Sequence, residues 1–294
     1  MGQYSIKELE LLSGIKAHTL RIWEKRYAII TPKRTSTNIR YYSDDDLKKI
    51  INVSLLNNRG LKISKLVHLS DEELAKKVLE LSEQKHDNEI QIDQLITAMI
   101  DMEEESFNSV LEGISQKMGF EAAVLEVLYP FLQKIGILWH AGNVSPAQEH
   151  FITHLIRQKM IVAIDTLPIP PKSKKKAMLF LPENELHEIG LLFYHYVIRK
   201  MGVRTYYLGQ TVPYRDVKLI GKIHKPDFIL TSITSFPVAS ELPEYISTLC
   251  KDFTSTKILL TGSALAKTKV EKAKNLFLFR DAKELKHLLE AQSA

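Results

Sequence analysis

The C-terminal part of the chain alternates short apolar runs with amphipathic stretches, and this alternation constrains the fold more than any other feature. Five runs favour strands, and the stretches between them have helical spacing. A repeated strand–helix order predicts a parallel, doubly wound sheet with helices on both faces. The predicted strands cover 177–181, 203–208, 227–232, 257–261 and 276–279, and the predicted helices cover about 187–201, 213–224, 237–252, 264–273 and 281–291.

Two further regions precede this α/β part. Residues 4–69 contain short helical stretches broken by glycine and proline, whereas 71–165 have helical spacing almost throughout. A proline-stiffened segment that turns basic then follows at 167–176. We predict a multidomain chain with a basic head at 1–70, an α-helical bundle at 71–167, a linker at 168–176 and a Rossmann-like α/β domain at 177–294.

Positive charge is concentrated in the head. The first 69 of the 294 residues hold 13 Lys and Arg against 6 Asp and Glu, whereas the other 225 hold 27 against 29. Clustered positive charge favours a polyanion partner, because each neutralised phosphate releases counterions. The single Cys250 excludes a disulfide framework and any cysteine-clustered metal site. Since no run of about 20 apolar residues and no signal-peptide core is present, we expect a cytoplasmic protein.

The head has the pattern of two short helices followed by a small β-wing. Ser5 and Glu8 have the spacing of a capping box, Gly14 permits a tight turn, and 16–25 predict a second helix. The segment 32–42 is basic, β-branched and aromatic, as a wing requires, and a serine followed by three aspartates predicts the start of the next helix.

These ordered motifs resemble the all-α winged helix-turn-helix of MerR-family regulators over about 70 residues. The resemblance implies a double-stranded DNA operator as partner, contacted mostly at its phosphates. Trp23 and Tyr27 are assigned to the core of the head. The residues implied in DNA contact are Lys16, His18, Thr19 and Arg21 on the second helix, and Arg40 and Tyr41 on the wing.

The helical middle contains one polar cluster. Trp139 and His140 end one predicted helix, Glu149 and His150 lie at the start of the next, and His154 follows one turn later. These residues could line a ligand pocket, and the last three could suggest a metal site, although the HExxH arrangement is absent. Histidines of this kind are also often structural, so the residues alone leave these alternatives open.

The α/β part carries a third motif. Glu185, His187 and Gly190 follow the first predicted strand, at the edge of the sheet where ligands bind. Their spacing resembles the D/E-x-H-x-x-G element of cobalamin-binding domains. The resemblance implies that His187 is the lower axial cobalt ligand, that Glu185 orients its other ring nitrogen, and that Gly190 permits close approach. Further cofactor contacts are implied for Ser232 and Thr234, which match the S-x-T/S-x-L element, and for Gly262 and Ser263, which stand where the family usually has Gly-Gly.

The polar cluster of the helical bundle also resembles a known motif when it precedes a cobalamin-binding domain. The motif is the W-x9-E-H signature of MerR-type, adenosylcobalamin-dependent photoreceptor repressors of the CarH/LitR type. This resemblance implies that Trp139, Glu149 and His150 surround the adenosyl group, and that His140 becomes the upper cobalt ligand after light breaks the Co–C bond. It also implies a homo-oligomer, either a dimer or a tetramer, that changes its state in light.

Two alternatives remain. One is a cobalamin-responsive regulator that does not sense light, and the departure from Gly-Gly at Ser263 keeps it open. The other is an enzyme component, the corrinoid-carrying subunit of a methyltransferase or mutase. The basic head argues against the enzyme component, because such a subunit has no need of a DNA-binding module.

Overall fold

The computed structural model describes residues 3–35, 37–84, 88–140, 144–172 and 174–290, without the side chains of 79–84, 137–140 and 267. The chain divides into two compact units, Met1–Leu155 and Ile156–Ala294. Each unit has its own core. Within the described ranges, no helix combines the length and apolarity that crossing a membrane requires.

The first unit begins with the predicted helix pair and wing. Ser5 and Glu8 form the expected capping box, and Gly14 ends the first helix in the left-handed conformation. Two short antiparallel strands then form the wing. The bounds are α1 (Ile6–Ser13), α2 (Ala17–Tyr27), β1 (Lys33–Arg34), β2 (Arg40–Tyr41), α3 (Asp44–Asn58) and α4 (Ile63–Leu66).

The core of the head fixes the wing against the start of the chain. Leu20 and Trp23 are buried, as their spacing predicts. Tyr4 and Tyr42 exchange both backbone hydrogen bonds at 2.9 Å, and both side chains are buried. The hydroxyl of Tyr42 donates to Glu24 on α2 at 3.2 Å. Tyr42 is therefore part of the packing between wing and helix.

The helical bundle completes the first unit and extends into the second. Its apolar centre includes Phe107, Val127 and Phe131, all fully buried. The predicted helix at 120–138 is interrupted by one π-helical turn, Val124–Leu128. The bounds are α5 (Asp71–Gln84), α6 (Asn88–Asp101), α7 (Glu104–Met118), α8 (Phe120–Ala123), α9 (Tyr129–His140) and α10 (Pro146–Asp165).

The second unit contains a five-stranded sheet in which all strands are parallel, in the order β4-β3-β5-β6-β7. The first and third strands of this unit are neighbours, so the chain winds outward in both directions from that pair. This confirms the predicted doubly wound fold. The strands are β3 (Lys176–Pro182), β4 (Arg204–Val212), β5 (Phe228–Ser232), β6 (Lys257–Thr261) and β7 (Leu276–Leu278), and the helices are α11 (Glu188–Lys200), α12 (Tyr214–His224), α13 (Leu242–Asp252) and α14 (Ala282–Glu290).

Two local predictions need correction. The expected helix at 264–273 is a single 3-10 turn, Ser263–Lys267, followed by irregular chain. Val270 and Ala273 pack against the apolar core of this unit, so an irregular segment covers the core where a helix was expected. In the head, Lys16 precedes α2 as its N-cap residue instead of lying within the helix.

Candidate functional site

The residues predicted for cofactor binding in the second unit meet at one edge of its sheet. Glu185 follows β3, Thr234 follows β5, and Gly262 and Ser263 follow β6. In parallel sheets of this order, ligands bind outside the carboxyl ends of the strands, at the point where the winding direction reverses. That point lies between β3 and β5. The fold thus brings these residues to the position where a ligand is expected.

Glu185 is a buried carboxylate held by four N–H groups. Its side chain is fully buried. Oε2 accepts hydrogen bonds from the backbone N–H groups of Thr234 and Ser235, each at 2.7 Å. Oε1 accepts from the backbone N–H of His187 at 3.0 Å and lies 2.5 Å from Nδ1 of the same residue. The carboxylate therefore ties the loop after β3 to the loop after β5.

The ionisation of Glu185 follows from these contacts. Burial alone would raise the pKa of this carboxyl group. The hydrogen bonds from the His187 ring and from the backbone N–H groups of Ser235, His187 and Thr234 outweigh that effect and lower the pKa to about 2. Glu185 is consequently an anion at neutral pH and a permanent acceptor for the imidazole.

His187 has the arrangement of an oriented metal ligand. With Glu185 at Nδ1, the neutral ring carries its proton there, and the lone pair is on Nε2. More than half of the side chain, 59%, is exposed. Within the described ranges, no three His, Cys, Asp or Glu side chains come together as a metal-binding group. A single oriented imidazole suits a metal that brings its other ligands with it, as cobalt does in a corrin ring, so these residues fit the implied cofactor.

The two glycines near this edge of the sheet differ in why the position requires glycine. In Gly262, φ is 120°, and an added Cβ would lie 2.1 Å from the carbonyl oxygen of Ile233. The protein itself therefore requires glycine there. Gly190 lies in α11, and an added Cβ would meet no protein atom within 4 Å. Internal packing does not explain Gly190, which agrees with the space that the cobalamin resemblance implies.

The two serines and Thr234 also lie at this edge. Ser232 is the buried last residue of β5. The exposed Ser263 donates a hydrogen bond from Oγ to the carbonyl oxygen of Thr234 at 3.3 Å. Serine in place of the second glycine therefore joins the loops after β5 and β6.

Glu188 is a buried residue that the sequence reasoning missed. Its carboxylate accepts hydrogen bonds from the hydroxyl of Tyr207 at 2.8 Å and from Nε2 of Gln210 at 3.1 Å. Arg157, on α10, forms an ion pair with it at 2.9 Å between Nε and Oε2. Burial and the hydrogen bond to Glu188 raise the pKa of Tyr207. The available signal was a carboxylate at the start of an otherwise apolar helix, directly after His187.

The polar cluster of the bundle belongs to the first unit. Glu149 is in the first turn of α10, and its Oε2 lies 3.0 Å from Nδ1 of His150, whose side chain is 68% exposed. The rings of His150 and His154 are 6.4 Å apart between centroids. Trp139 and His140 end α9, but their side chains lie outside the described part of the chain.

The residues predicted to contact DNA lie on or next to α2 and the wing. His18 and Arg21 are exposed, and Thr19 and Tyr41 are half-buried. Two of the cations face carboxylates of the head. Nζ of Lys16 is 3.0 Å from Glu10, and Nε of Arg40 is 3.6 Å from Glu24.

Comparison with known proteins supports both parts of this arrangement. Residues 4–73 match the MerR HTH family regulatory protein, and residues 91–163 match a B12 binding domain. The chain is 26% identical over 272 residues to the HTH-type transcriptional repressor CarH of Myxococcus xanthus. The aligned residues cover 90% of each of the two chains. It is also 26% identical over 249 residues to the repressor CarA of the same organism, covering 84% of this chain and 81% of CarA.

A solved structure supports the fold. The monomethylamine corrinoid protein of Methanosarcina barkeri superposes with a TM-score of 0.57 at 16% identity, over 70% of this chain and 100% of that one. This likeness shows a shared fold alone. The match to regulators runs through the head and the bundle, and it rules out the enzyme alternative. The chain thus carries a MerR HTH domain followed by a B12 binding domain, and over 90% of its length it is similar to the CarH repressor.

Proposed function

We propose that this regulator is a repressor that binds adenosylcobalamin and responds to light through it. The observation that carries the proposal is the buried Glu185 carboxylate, which four N–H groups hold in place beside Nδ1 of the exposed His187. A carboxylate–histidine pair of this kind fixes the ring orientation and raises the basicity of the metal-binding nitrogen. The CarH relative, to which this chain is similar over 90% of its length, supports the regulatory part.

Each residue of the sheet edge has a defined part in this proposal. When bound, adenosylcobalamin supplies absorption of visible light and a cobalt–carbon bond that light breaks. His187 would hold cobalt through Nε2, and Glu185 holds the proton on Nδ1. The end of β5 with Ser232 and the loops with Thr234, Gly262 and Ser263 would bind the nucleotide tail, while Gly190 would leave room beside the corrin.

The bundle supplies the upper face in this proposal. Trp139, Glu149 and His150 would surround the adenosyl group, and His140 would hold the cobalt in the light. Glu149 holds Nδ1 of His150 at 3.0 Å, which orients the His150 ring. A change at the upper face then acts on the packing of the bundle, and the bundle determines the oligomeric state.

Oligomerisation strengthens DNA binding without new contacts. A dimer or tetramer presents several basic heads, and the second head binds at a high effective concentration once the first is bound. Dissociation in light would remove that gain and release the operator.

The experiment that tests this proposal compares the purified protein in darkness and after green light. We expect it to retain adenosylcobalamin through gel filtration in the dark, and to show a changed absorption spectrum and a smaller size after illumination. No bound corrinoid would overturn the proposal. Binding with the same spectrum and size in both conditions would instead establish the cobalamin-responsive regulator that does not sense light.

His187→Ala is expected to weaken cobalamin retention at least about tenfold, because the cofactor loses its only protein ligand from below. Equilibrium dialysis in the dark measures the change, and the absorption spectrum reports the lost imidazole coordination. His287→Ala, which removes an exposed histidine of the same unit, is the matched control and should bind as the unaltered protein does. Equal retention by both variants would refute the role given to His187.

Arg21→Ala is expected to weaken binding to any duplex DNA and to reduce the salt slope of log Kd by about 1, because one phosphate contact is lost. Fluorescence anisotropy with a labelled duplex, titrated at several salt concentrations, measures both quantities. Arg215→Ala removes an exposed arginine of the second unit and should leave the slope unchanged. An unchanged slope for Arg21→Ala would remove Arg21 from the DNA contact.

A further inference from the structure

A cavity of about 590 Å³, open to solvent on one side, lies in the first unit between helices of the head and helices of the bundle. Its walls come from α3 of the head and from α5, α6 and α7 of the bundle. Its size falls within the range of about 300–1,000 Å³ that is usual for small-molecule sites. None of its lining residues is among the DNA-binding or cobalamin-binding candidates. We call it the head–bundle cavity.

The walls of the head–bundle cavity suit the apolar body of a small organic molecule. Leu55 on α3, Val78 on α5 and Ala98 on α6 are nearly fully buried and line it together. Among the polar lining residues are Gln94 and Ser109, which offer hydrogen bonds around the apolar surface. Pockets that bind small ligands have this composition, with apolar walls and a few polar groups.

The charge of the lining defines the ligand further. Its described residues include the carboxylates Asp93, Asp101, Glu103 and Glu105, against a single ammonium group, Lys76. Asp101 pairs with Lys48 of the head at 2.8 Å. Since Asp93 pairs with Lys134 as well, the excess of negative charge along the lining comes from the exposed Glu103 and Glu105.

Asp93 places a carboxyl group in the deep part of the wall. Only 9% of its side chain is exposed, and Oδ1 lies 3.0 Å from Nζ of Lys134. Burial raises the pKa of Asp93 to about 6, although the neighbouring Lys134 lowers it. At neutral pH its ionised form is therefore only partly compensated, and a second cation nearby would stabilise it.

We propose that the head–bundle cavity is a second ligand site of this regulator, specific for a small organic amine with an aromatic or aliphatic body. The ammonium group would lie among the carboxylates, and the apolar body would lie against the apolar lining residues that keep accessible surface, Ala75 and Val110. An occupant contacts α3 of the head and α6 of the bundle at once. The proposal does not depend on cobalamin or on light, and its failure would leave the proposed function unaffected.

The test uses two probes of equal shape on the full-length protein: 1-naphthylmethylamine, a cation at neutral pH, and 1-naphthalenemethanol, which is neutral. Isothermal titration calorimetry is expected to show one saturable amine site per chain, on the order of tenfold tighter than the alcohol. The positive net charge of the protein opposes nonspecific attraction of a cation, and the variants below test for binding elsewhere on the surface.

Two variants locate the binding. Ser109→Trp places a large side chain at an exposed position of the lining and should abolish amine binding, whereas Gln116→Trp, exposed on the same helix but outside the lining, should not. The double variant Glu103→Gln and Glu105→Gln should remove the preference for the amine and leave alcohol binding unchanged. This variant needs only exposed substitutions, so it still decides the matter if Ser109→Trp fails to fold.

Three results would overturn the proposal. A failure of both probes to saturate up to millimolar concentration would exclude a site of this size and composition. Binding of the alcohol as tightly as the amine would exclude charge recognition. Equal amine binding by Ser109→Trp and Gln116→Trp would place the amine elsewhere on the protein.

Discussion

Replacing Glu185 by alanine is expected to abolish cobalamin retention and to destabilise the second unit by about 2–4 kcal/mol. The substitution removes the acceptor of four N–H groups, from the ring and backbone of His187 and from the backbones of Thr234 and Ser235. An unsatisfied buried donor costs about 1–3 kcal/mol, and water entering the space would reduce the total. The loops after β3 and β5 would lose their connection at the point where the winding direction reverses.

Thermal unfolding of the cofactor-free protein measures the stability change, and equilibrium dialysis measures cobalamin retention. Glu183→Ala, two residues earlier and exposed, is the matched control and should change neither quantity. Glu185→Gln should also lose retention, because its single oxygen cannot replace both Oε1 and Oε2, and its amide group would face N–H donors. A Glu185→Ala protein that unfolds normally and retains cobalamin would show that His187 needs no orienting group.

The sequence predicted those parts of the fold and site that depend on local spacing. The capping box at Ser5 requires only two residues three positions apart, and the buried strands of the second unit are short apolar runs. The contact between Glu185 and His187, which the resemblance to cobalamin-binding domains implied, is also local, since a single residue separates them. The alternation of strands and helices predicted the parallel, doubly wound sheet, and its strand order came from the structure.

The other contacts depend on how elements distant in sequence pack against one another, which the local spacing of residues does not predict. Tyr207 lies on β4 and donates its hydroxyl hydrogen bond to Glu188 at the start of α11. The pairing of β4 with β3 shifts in register between Leu179 and Phe180, so local spacing does not predict this contact. The ion pair of Arg157 with Glu188 joins α10 to α11, which are separated in sequence by a linker and a strand. The head–bundle cavity has walls from four helices, so no single stretch of sequence indicates it. The prediction of a helix at 264–273 was wrong. The chain there packs Val270 and Ala273 against the core in an irregular conformation, although the spacing of its apolar residues is helical.

Gly262→Ala is expected to destabilise the second unit by at least about 3 kcal/mol, from backbone strain and steric overlap together. At φ 120° an L-residue is strained, and the new Cβ would lie 2.1 Å from the oxygen and 2.5 Å from the carbon and nitrogen of Ile233. That backbone cannot move aside easily. Its N–H donates to Thr261 at 2.8 Å, and its carbonyl oxygen accepts from Ala264 at 3.1 Å. Denaturant unfolding of the cofactor-free protein measures the loss.

Gly190→Ala is the matched control, and the comparison separates folding from ligand binding at the same edge of the sheet. Position 190 is helical, and the added methyl group would contact no protein atom within 4 Å, so the apo protein should be as stable or up to about 1 kcal/mol more stable. If its space belongs to the corrin, this stable variant should nevertheless retain cobalamin poorly. Normal retention by Gly190→Ala would remove Gly190 from the cofactor site, whereas normal stability of Gly262→Ala would contradict the close approach of β6 and the loop after β5. Glycine is thus required by the chain itself at position 262, whereas at position 190 its role toward the ligand is our proposal, which this comparison of variants tests.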